Sequence, residues 1–234
     1  MKYRRVLLKL SGETLAGSGE TGIQIQNLNA VADEIASIHN KKVQLAVVIG
    51  AGNLWRGAGK AIDRVTADNM GMLATIMNSL ALGAALNSRG IPAVVQSAID
   101  VSKVAEFYVR DRALACLEEG RMVILAGGTG NPFFTTDTTA ALRAAELNAE
   151  VILKATQVDG VYSDDPKKNP RATRYSRITF DEAIAKRLKI MDMSAFSLCR
   201  ENDIAIVVFD FYRKGNLARV LAGETVGTVV AGKA

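Results

Sequence analysis

GGTGNPFFTTDTT, residues 127–139, joins a short apolar run to a predicted helix, and this junction decides the fold. The run before it, 122–126, has the length and composition of a buried strand, and the alanine-rich segment 140–147 after it favours a helix. The junction holds three glycines, five threonines and two phenylalanines. Glycines let a ligand approach backbone N–H groups, and the amides and hydroxyls at a helix N-terminus bind anionic oxygens.

Two interpretations of this junction are open from the residues alone. In the first, it is an anion site in which Phe133 and Phe134 form an apolar shelf for a planar group, and Asp137 is an N-cap or first-turn carboxylate. In the second, it is a glycine-rich connection whose phenylalanines belong to the core.

The rest of the chain alternates predicted strands with predicted helices. Strands are predicted at 3–10, 43–49, 92–96, 122–126, 151–154 and 204–209, and helices at 27–40, 66–89, 111–119, 140–147, 183–189 and 217–222. Thr66 is expected to cap the second helix, and Thr179 with Glu182 has the spacing of a capping box. This alternation predicts one α/β domain over residues 1–234, a sandwich built on a parallel sheet.

Composition excludes several functional classes. The net charge is +5, but the basic residues are scattered pairs without interleaved aromatics, which argues against nucleic-acid binding. His39 has no evident partner for catalysis or zinc binding, and Cys116 and Cys199 are expected to be buried free thiols. No apolar run approaches the ~20 residues of a membrane helix, and Lys9 interrupts the first one too early for a secretory signal. A cytoplasmic protein is expected.

A methionine-rich stripe runs along the predicted helix 66–89. Its members recur at helical spacing: Met70, Leu73, Met77 and Leu80. Core packing or a helix-to-helix contact between subunits explains this stripe better than a cofactor site does.

Ligands of parallel α/β sheets collect at the carboxyl ends of the strands. That rule brings together residues 9–12, 50–53, 127–136 and 154–156. Lys9 and Lys154 end strands there, and lysines at apolar strand ends are costly without anionic partners. Together with Arg56 and the glycine loops they suit phosphoryl transfer, which magnesium normally accompanies. The alternative is that both lysines only pair structurally with carboxylates.

The common nucleotide motifs do not occur in the sequence. A Gly-x-x-x-x-Gly-Lys-Ser/Thr loop is missing, and neither Gly50-x-Gly52 nor Gly128-x-Gly130 continues to a third glycine. A P-loop and a Rossmann dinucleotide site are therefore disfavoured.

Six segments in order resemble the bacterial uridylate (UMP) kinase family of the amino-acid kinase superfamily. They are KLSGE (9–13), VVIGAGNLWRG (47–57), ADNMGMLATIMN (67–78), GTGNPFFTTD (128–137), LKATQVDGVYSDDP (153–166) and MDMSAF (191–196). The TGNPFFTTD segment together with Asp68 favours UMP kinases over the carbamate, acetylglutamate and aspartate kinases of the superfamily. The chain departs from the family pattern at Ala51, where glycine is usual, and at Trp55, where phenylalanine is common.

The resemblance implies transfer of the ATP γ-phosphoryl group to UMP, giving UDP and ADP with Mg²⁺, in pyrimidine nucleotide (CTP) biosynthesis. It implies a three-layer αβα sandwich around a central, mostly parallel sheet, assembled as a homohexamer. The catalytic residues implied are Lys9, Arg56, Asp137, Lys154 and Asp192. The ATP-binding residues implied are Lys9, Leu10, Ser11, Gly12, Gly52, Arg56, Thr156, Tyr162 and Asp165. The UMP-binding residues implied are Ala51, Asp68, Thr129, Gly130, Asn131, Pro132, Phe133, Phe134, Thr135 and Thr136.

The resemblance also extends to regulation. GTP activation is implied at Gly17, Ser18, Gly19, Glu20, Thr21 and Gly22, and UTP inhibition is common in the family. Two other functions compete with UMP kinase: a superfamily kinase that makes an acyl phosphate, such as a carbamate kinase, and a nucleotide-sensing regulatory protein. The presence of Lys9, Asp137, Lys154 and Asp192 favours an enzyme over a sensor.

Overall fold

The structure is a computed structural model that describes residues 1–17, 20–39, 42–56, 62–164, 166 and 168–232. The strands are β1 (Arg5–Leu10), β2 (Gln44–Ile49), β3 (Ala93–Ser97), β4 (Glu106–Phe107), β5 (Met122–Ala126), β6 (Val151–Thr156), β7 (Arg177–Thr179), β8 (Ala205–Asp210) and β9 (Thr228–Ala231). The helices are α1 (Glu13–Ala16), α2 (Ile25–Ala36), α3 (Arg64–Asn87), α4 (Arg110–Glu118), α5 (Thr136–Glu146), α6 (Phe180–Ala185), α7 (Met193–Glu201) and α8 (Asn216–Ala222).

The nine strands of the described residues form one sheet in the order β4-β3-β5-β2-β1-β6-β8-β9-β7. Every pairing is parallel except that between β8 and β9. Helices α2, α3 and α8 cover one face, and α4, α5, α6 and α7 cover the other. The predicted three-layer αβα sandwich around a mostly parallel sheet is therefore confirmed.

The pleat of the central strands fills both apolar layers at once. In β1, Val6, Leu8 and Leu10 point into the layer with α2 and α3, whereas Leu7 points into the layer with α5. Successive side chains of a strand alternate between faces, so Lys9 lies on the same face as Leu7. The same alternation puts Lys154 of β6 on that face, and Lys9 and Lys154 are register partners. Strand pairing alone therefore sets the two lysines side by side beneath α5.

Several details of the predicted elements need correction. The helix predicted at 183–189 is α6, at Phe180–Ala185, and helices α1 and α7 were not predicted. Thr66 does not cap α3: the helix begins earlier, at Arg64, and the side chain of Asp63 accepts the N–H of Thr66 at 3.0 Å. Strands β4, β7 and β9 were not predicted, because runs of two to four residues carry too little alternation to be detected. The capping box is confirmed, since Thr179 and Glu182 bond each other's backbone N–H.

Helix α3 exposes its methionine-rich stripe. Met70, Leu73 and Met77 are 36%, 51% and 56% exposed, so core packing within the chain does not explain them. Helix α3 is long and apolar enough to cross a membrane by length and composition alone, contrary to the expectation from the sequence. More than half of its most apolar part is nevertheless buried within the fold. Its inner face, including Leu82 and Leu86, packs into the core. The two cysteines are free and buried, as predicted.

Candidate active site

The centre of the site is a carboxylate held between two lysines. The ammonium of Lys9 lies 2.8 Å from Oδ1 of Asp137, and that of Lys154 lies 2.7 Å from Oδ2. All three side chains are 12–16% exposed. Lys154 also donates to the carbonyl of Ile190. The contact between Lys9 and Oδ1 of Asp137 lacks the geometry of a hydrogen bond, so it is an ion pair. The two lysines that end separate strands thus converge on one point.

Asp137 reaches the lysines because it lies in the first turn of α5. Thr135 caps this helix by accepting the N–H groups of Asp137 and Thr138 at 3.0 and 3.2 Å. The helix follows β5, which leaves its N-terminus above the carboxyl ends of the central strands. Of the two positions that the sequence allowed for Asp137, the first turn is the observed one.

The charges of this cluster determine its protonation. Burial would raise the pKa of Asp137, but the ammonium groups of Lys9 and Lys154 outweigh burial and hold this pKa below its ordinary value. Burial lowers the pKa of Lys154, with Asp137 opposing the shift and Lys9 adding to it. The pKa of nearby Cys199 shifts in the opposite direction. Burial is the main cause, and the charges of Asp137 and Asp192 add to it, so that the pKa rises to about 12. Burial and the raised pKa keep that thiol protonated at neutral pH, which disfavours a nucleophilic role.

Asp192 lies beside this cluster without bonding either lysine. It caps α7 by accepting the N–H of Ala195 at 2.9 Å, and it also accepts the hydroxyls of Thr135 and Thr138. Burial lowers the pKa of Lys154, and the negative charge of Asp192 adds to that of Asp137 in opposing this shift. Asp192 thus links the N-termini of α5 and α7, and its influence on the lysines is electrostatic.

A cavity of about 270 Å³ opens next to the lysine cluster, between α3 and the junction after β5. It is lined by Ala51, Gly52, Trp55, Arg64, Ala67, Asp68, Gly71, Met72, Thr75, Gly128, Thr129, Asn131, Phe134, Thr135, Thr136 and Thr139. Seven of the ten residues expected to bind UMP are in this lining, while Gly130, Pro132 and Phe133 lie just outside it. Gly130 turns against Ala98 with φ +81°, a conformation that side chains rarely adopt.

One carboxylate of α3 holds the cavity wall in place. Oδ2 of Asp68 accepts the backbone N–H of Phe133 at 2.7 Å and the guanidinium of Arg64 at 2.7 Å. Phe133 has φ +74°, a strained value for a residue with a side chain. By accepting the N–H of Phe133, Asp68 helps to hold that backbone conformation. Asp68 therefore stabilises the loop, in addition to lying near the start of α3.

The two phenylalanines of the junction do not belong to the core. Phe133 and Phe134 are 62% and 51% exposed, and Arg64 lies over the Phe133 ring. The interpretation of the junction as a simple connection with core phenylalanines is therefore wrong. Phe134 lines the cavity as an apolar wall, whereas Phe133, which the first interpretation also placed in the apolar shelf, is not in the lining.

The first glycine turn, residues 11–13, packs against the second, residues 50–53. A Cβ placed on Gly12 would lie 2.6 Å from the Gly50 carbonyl and 2.8 Å from the Gly52 nitrogen. Ser11 accepts the N–H of Glu13 at 3.3 Å, and the side chain of Leu10 is buried in the core. Leu10 can meet a ligand only through its backbone, and its carbonyl already accepts the N–H of Gly50.

Arg56 extends from the second glycine turn over this region. Its Nε donates to the carbonyl of Gly52 at 3.0 Å, and its Nη2 pairs with Glu13. The side chain is 70% exposed, so it can leave Glu13 for a stronger anion at little cost.

The residues expected to hold the ATP nucleoside follow β6. Thr156 donates its hydroxyl to the carbonyls of Val158 and Phe209, at 2.7 and 3.1 Å. Tyr162 donates to Asp159 at 2.7 Å, and this bond raises the tyrosine pKa. Asp165 lies outside the described residues.

The segment expected to respond to GTP is described at Gly17, Glu20, Thr21 and Gly22, while Ser18 and Gly19 lie outside the described residues. Gly22 donates its N–H to the carbonyl of Asn53 at 2.9 Å. The segment therefore contacts the second glycine turn directly.

Several residues of the site were not predicted from the sequence. Arg64 lines the cavity and pairs with Asp68, Thr75 accepts the N–H of Gly127 at 2.9 Å, and Thr139 lines the cavity floor. Arg64 stands four residues before Asp68, a spacing that pairs charges on a helix and could have indicated its role.

The carboxylates fit a magnesium ion that arrives on a nucleotide. Within the described part of the chain, no three His, Cys, Asp or Glu side chains form a metal-binding group. Mg²⁺ commonly uses one or two carboxylates together with substrate phosphates and water. Asp137 is the carboxylate that would hold it here, since its Oδ1 is paired with Lys9 but accepts no hydrogen bond of good geometry.

Comparisons with known proteins agree with this geometry. The family model described as the amino acid kinase family matches residues 4–210. The chain is similar to UMP kinase from Bacillus anthracis, with 40% identity and a TM-score of 0.97, covering 100% of this chain and 98% of that one. UMP kinase from Ureaplasma parvum is also 40% identical, with a TM-score of 0.93 and coverage of 99% and 100%. Uridylate kinase from Archaeoglobus fulgidus is 29% identical, with a TM-score of 0.74 and coverage of 97% and 99%.

Proposed function

The chain belongs to the amino acid kinase family, and on that premise we propose that it is a UMP kinase, which transfers the γ-phosphoryl group of ATP to UMP to give UDP and ADP. The observation that carries this proposal is the convergence of Lys9 and Lys154 on Asp137 beside a cavity walled by the TGNPFFTTD loop. The similarity to UMP kinases over the whole chain supports the choice of acceptor. The product would feed pyrimidine nucleotide (CTP) synthesis in the cytoplasm.

Phosphoryl transfer depends more on electrostatic stabilisation of the transition state than on a covalent intermediate with the protein. Phosphoryl transfer proceeds through a transition state whose charge is spread over the equatorial oxygens, so aligned cations supply most of the catalysis. We assign that role to Lys9 and Lys154, with Arg56 reaching the phosphates from the second glycine turn. Asp137 holds both ammonium groups at bonding distance, and its charge opposes the lowering of the Lys154 pKa by burial. Magnesium, when bound with ATP near Asp137, supplies further neutralisation of phosphate charge.

The acceptor and donor occupy opposite sides of the lysines in this proposal. UMP binds in the cavity against Ala51, Asp68 and residues 129–136, with Phe134 beside its planar base. ATP lies along Lys9–Gly12 and Gly52, with its nucleoside held by Thr156, Tyr162 and Asp165. Placing the two phosphate groups end to end over the lysines makes an in-line transfer possible.

An acceptor panel tests this function. The full-length protein is incubated with ATP and Mg²⁺ and with UMP, CMP, carbamate, acetylglutamate or aspartate, and ADP formation is measured. We expect turnover with UMP to exceed that with every other acceptor. Lys9→Ala should lower kcat by about 10²-fold or more, whereas Lys103→Ala, an exposed lysine outside the site, should not change it. Preference for a carboxylate acceptor would replace the proposal by an acyl-phosphate kinase.

We also propose that the protein assembles as a homohexamer through contacts that include the exposed stripe of α3. Met70, Leu73 and Met77 form an apolar surface on one helix, which supports burial against another subunit. Light scattering should give a hexamer mass, and Leu73→Glu should reduce it. An unchanged mass would exclude this surface from the assembly.

Regulation by GTP and UTP belongs to the same proposal. The contact between Gly22 and Asn53 supports a path from the segment 17–22 to the second glycine turn. Initial rates with added GTP or UTP, at saturating and limiting UMP, test whether GTP activates and UTP inhibits.

A further inference from the structure

Two buried asparagines outside the cavity lining form a reciprocal amide pair. Nδ2 of Asn53 donates to Oδ1 of Asn78 at 3.0 Å, and Nδ2 of Asn78 donates to Oδ1 of Asn53 at 2.7 Å. Asn53 is 2% exposed and Asn78 is fully buried. Asn78 lies in the interior of α3, one turn before the core residue Leu82. A primary amide in that position is costly unless all its polar atoms are used.

The pair uses its remaining donors on two glycine carbonyls. Nδ2 of Asn78 donates to the carbonyl of Gly50 at 2.8 Å, and Nδ2 of Asn53 donates to the carbonyl of Gly22 at 2.8 Å. The N–H of Gly22 returns to the carbonyl of Asn53, so Gly22 is held at both of its polar groups. Each amide thereby uses both N–H donors and its oxygen.

The pair also sets the distance between the first two glycine turns. Oδ1 of Asn53 is among the atoms that a Cβ on Gly12 would strike, together with the Gly50 carbonyl and the Gly52 nitrogen. Gly12 therefore packs directly on the amide pair. Helix α3, both glycine turns and Gly22 meet at these two side chains.

We propose that Asn53 and Asn78 are positioning residues that fix the second glycine turn to helix α3 and to Gly22, so that these segments hold one arrangement as a unit. This role does not require either side chain to touch a substrate, because the backbone of residues 50–52 carries the position to the site. Its consequence for catalysis rests on the proposed kinase function, whereas its structural consequence does not.

Hydrogen exchange of the full-length protein tests the structural consequence. Asn78→Ala should accelerate amide exchange at Gly22 and at residues 50–54 by about tenfold or more, without a comparable change in strand β8. Ser79→Ala is the matched control, since Ser79 is also buried in α3 but donates only to Thr75 of its own helix. If Asn78→Ala does not fold, Asn53→Ala is measured instead, with the same expectation at Gly22.

Two exchange results would overturn the proposal. One is unchanged protection at Gly22 in the Asn variants, and the other is equal acceleration in Ser79→Ala, which would show general loosening of the helix.

The kinetic readout is separate: kcat of the Asn variants should fall about tenfold or more through misplacement of the turn, with Ser79→Ala at the wild-type value. If the Asn variants lose protection at Gly22 but keep the wild-type kcat, the pair has no positioning role in catalysis. If the wild-type protein does not turn over UMP, the kinase assignment is refuted, and hydrogen exchange alone decides the structural role.

Discussion

Replacing Asp137 with asparagine tests the charge arrangement at the centre of the site. The change leaves the ammonium groups of Lys9 and Lys154 facing each other, 12% and 14% exposed, without their shared counter-ion. Removing one partner of a buried ion pair costs about 3–5 kcal/mol. Asparagine keeps a carbonyl oxygen that can accept a bond from Lys154, so we expect the lower end of that range, about 3 kcal/mol at neutral pH.

The stability deficit of this variant should depend on pH. The Asp137 charge raises the pKa of Lys154 against the effect of burial, so asparagine lets that pKa fall further. A group with a folded-state pKa below its unfolded value binds fewer protons when folded, and stability then rises as pH rises through that window. The deficit should therefore narrow as pH rises towards 10.5, the ordinary value for lysine. It should also narrow at acid pH, because the wild type loses the stability from the lowered Asp137 pKa as pH falls below 3.8.

Urea unfolding followed by circular dichroism, at one fixed protomer concentration, measures this deficit at neutral and alkaline pH. Asp111→Asn is the matched control, since Asp111 lies in the first turn of α4 but is 83% exposed. We expect that control to lose no more than about 1 kcal/mol. In the kinase assay, Asp137→Asn should lose about 10²-fold or more in kcat. A variant with wild-type stability and turnover, or a deficit that grows with pH up to 10.5, would refute the charge arrangement.

Three further substitutions probe separate parts of the site and fold. Arg56→Ala should lower kcat/KM by about 10- to 100-fold with little loss of UMP affinity by calorimetry, because this exposed cation is assigned to the transferring phosphates; lost UMP affinity would reassign it to the acceptor. Asp68→Ala should raise the KM for UMP by about tenfold, since the N–H of Phe133 loses its acceptor, and an unchanged KM would contradict that role. Thr179→Ala should cost about 1 kcal/mol of unfolding free energy by breaking the capping box of α6, while a fall in kcat would show that α6 affects the site.

Local sequence was sufficient wherever short-range physics sets the structure. The buried strand at 122–126 and the capping box at Thr179 follow from an apolar run and from hydrogen bonds between near neighbours. The order of strands and helices likewise fixed the layered α/β class. The edge rule for parallel sheets brought the glycine turns and both lysines to one side before any contact was known.

Contacts between distant residues required the tertiary structure. That one carboxylate, Asp137, serves both lysines depends on the register of β1 with β6 and on where α5 begins above them. Periodicity indicated a stripe on α3 but not which way it faces, because the packing of the opposite face against the sheet decides that. The Asn53–Asn78 pair could not be predicted either. A buried polar residue needs a hydrogen-bond partner, and the sequence does not indicate which distant residue provides it. Sequence therefore determined which elements form, whereas strand order and packing determined which side chains meet.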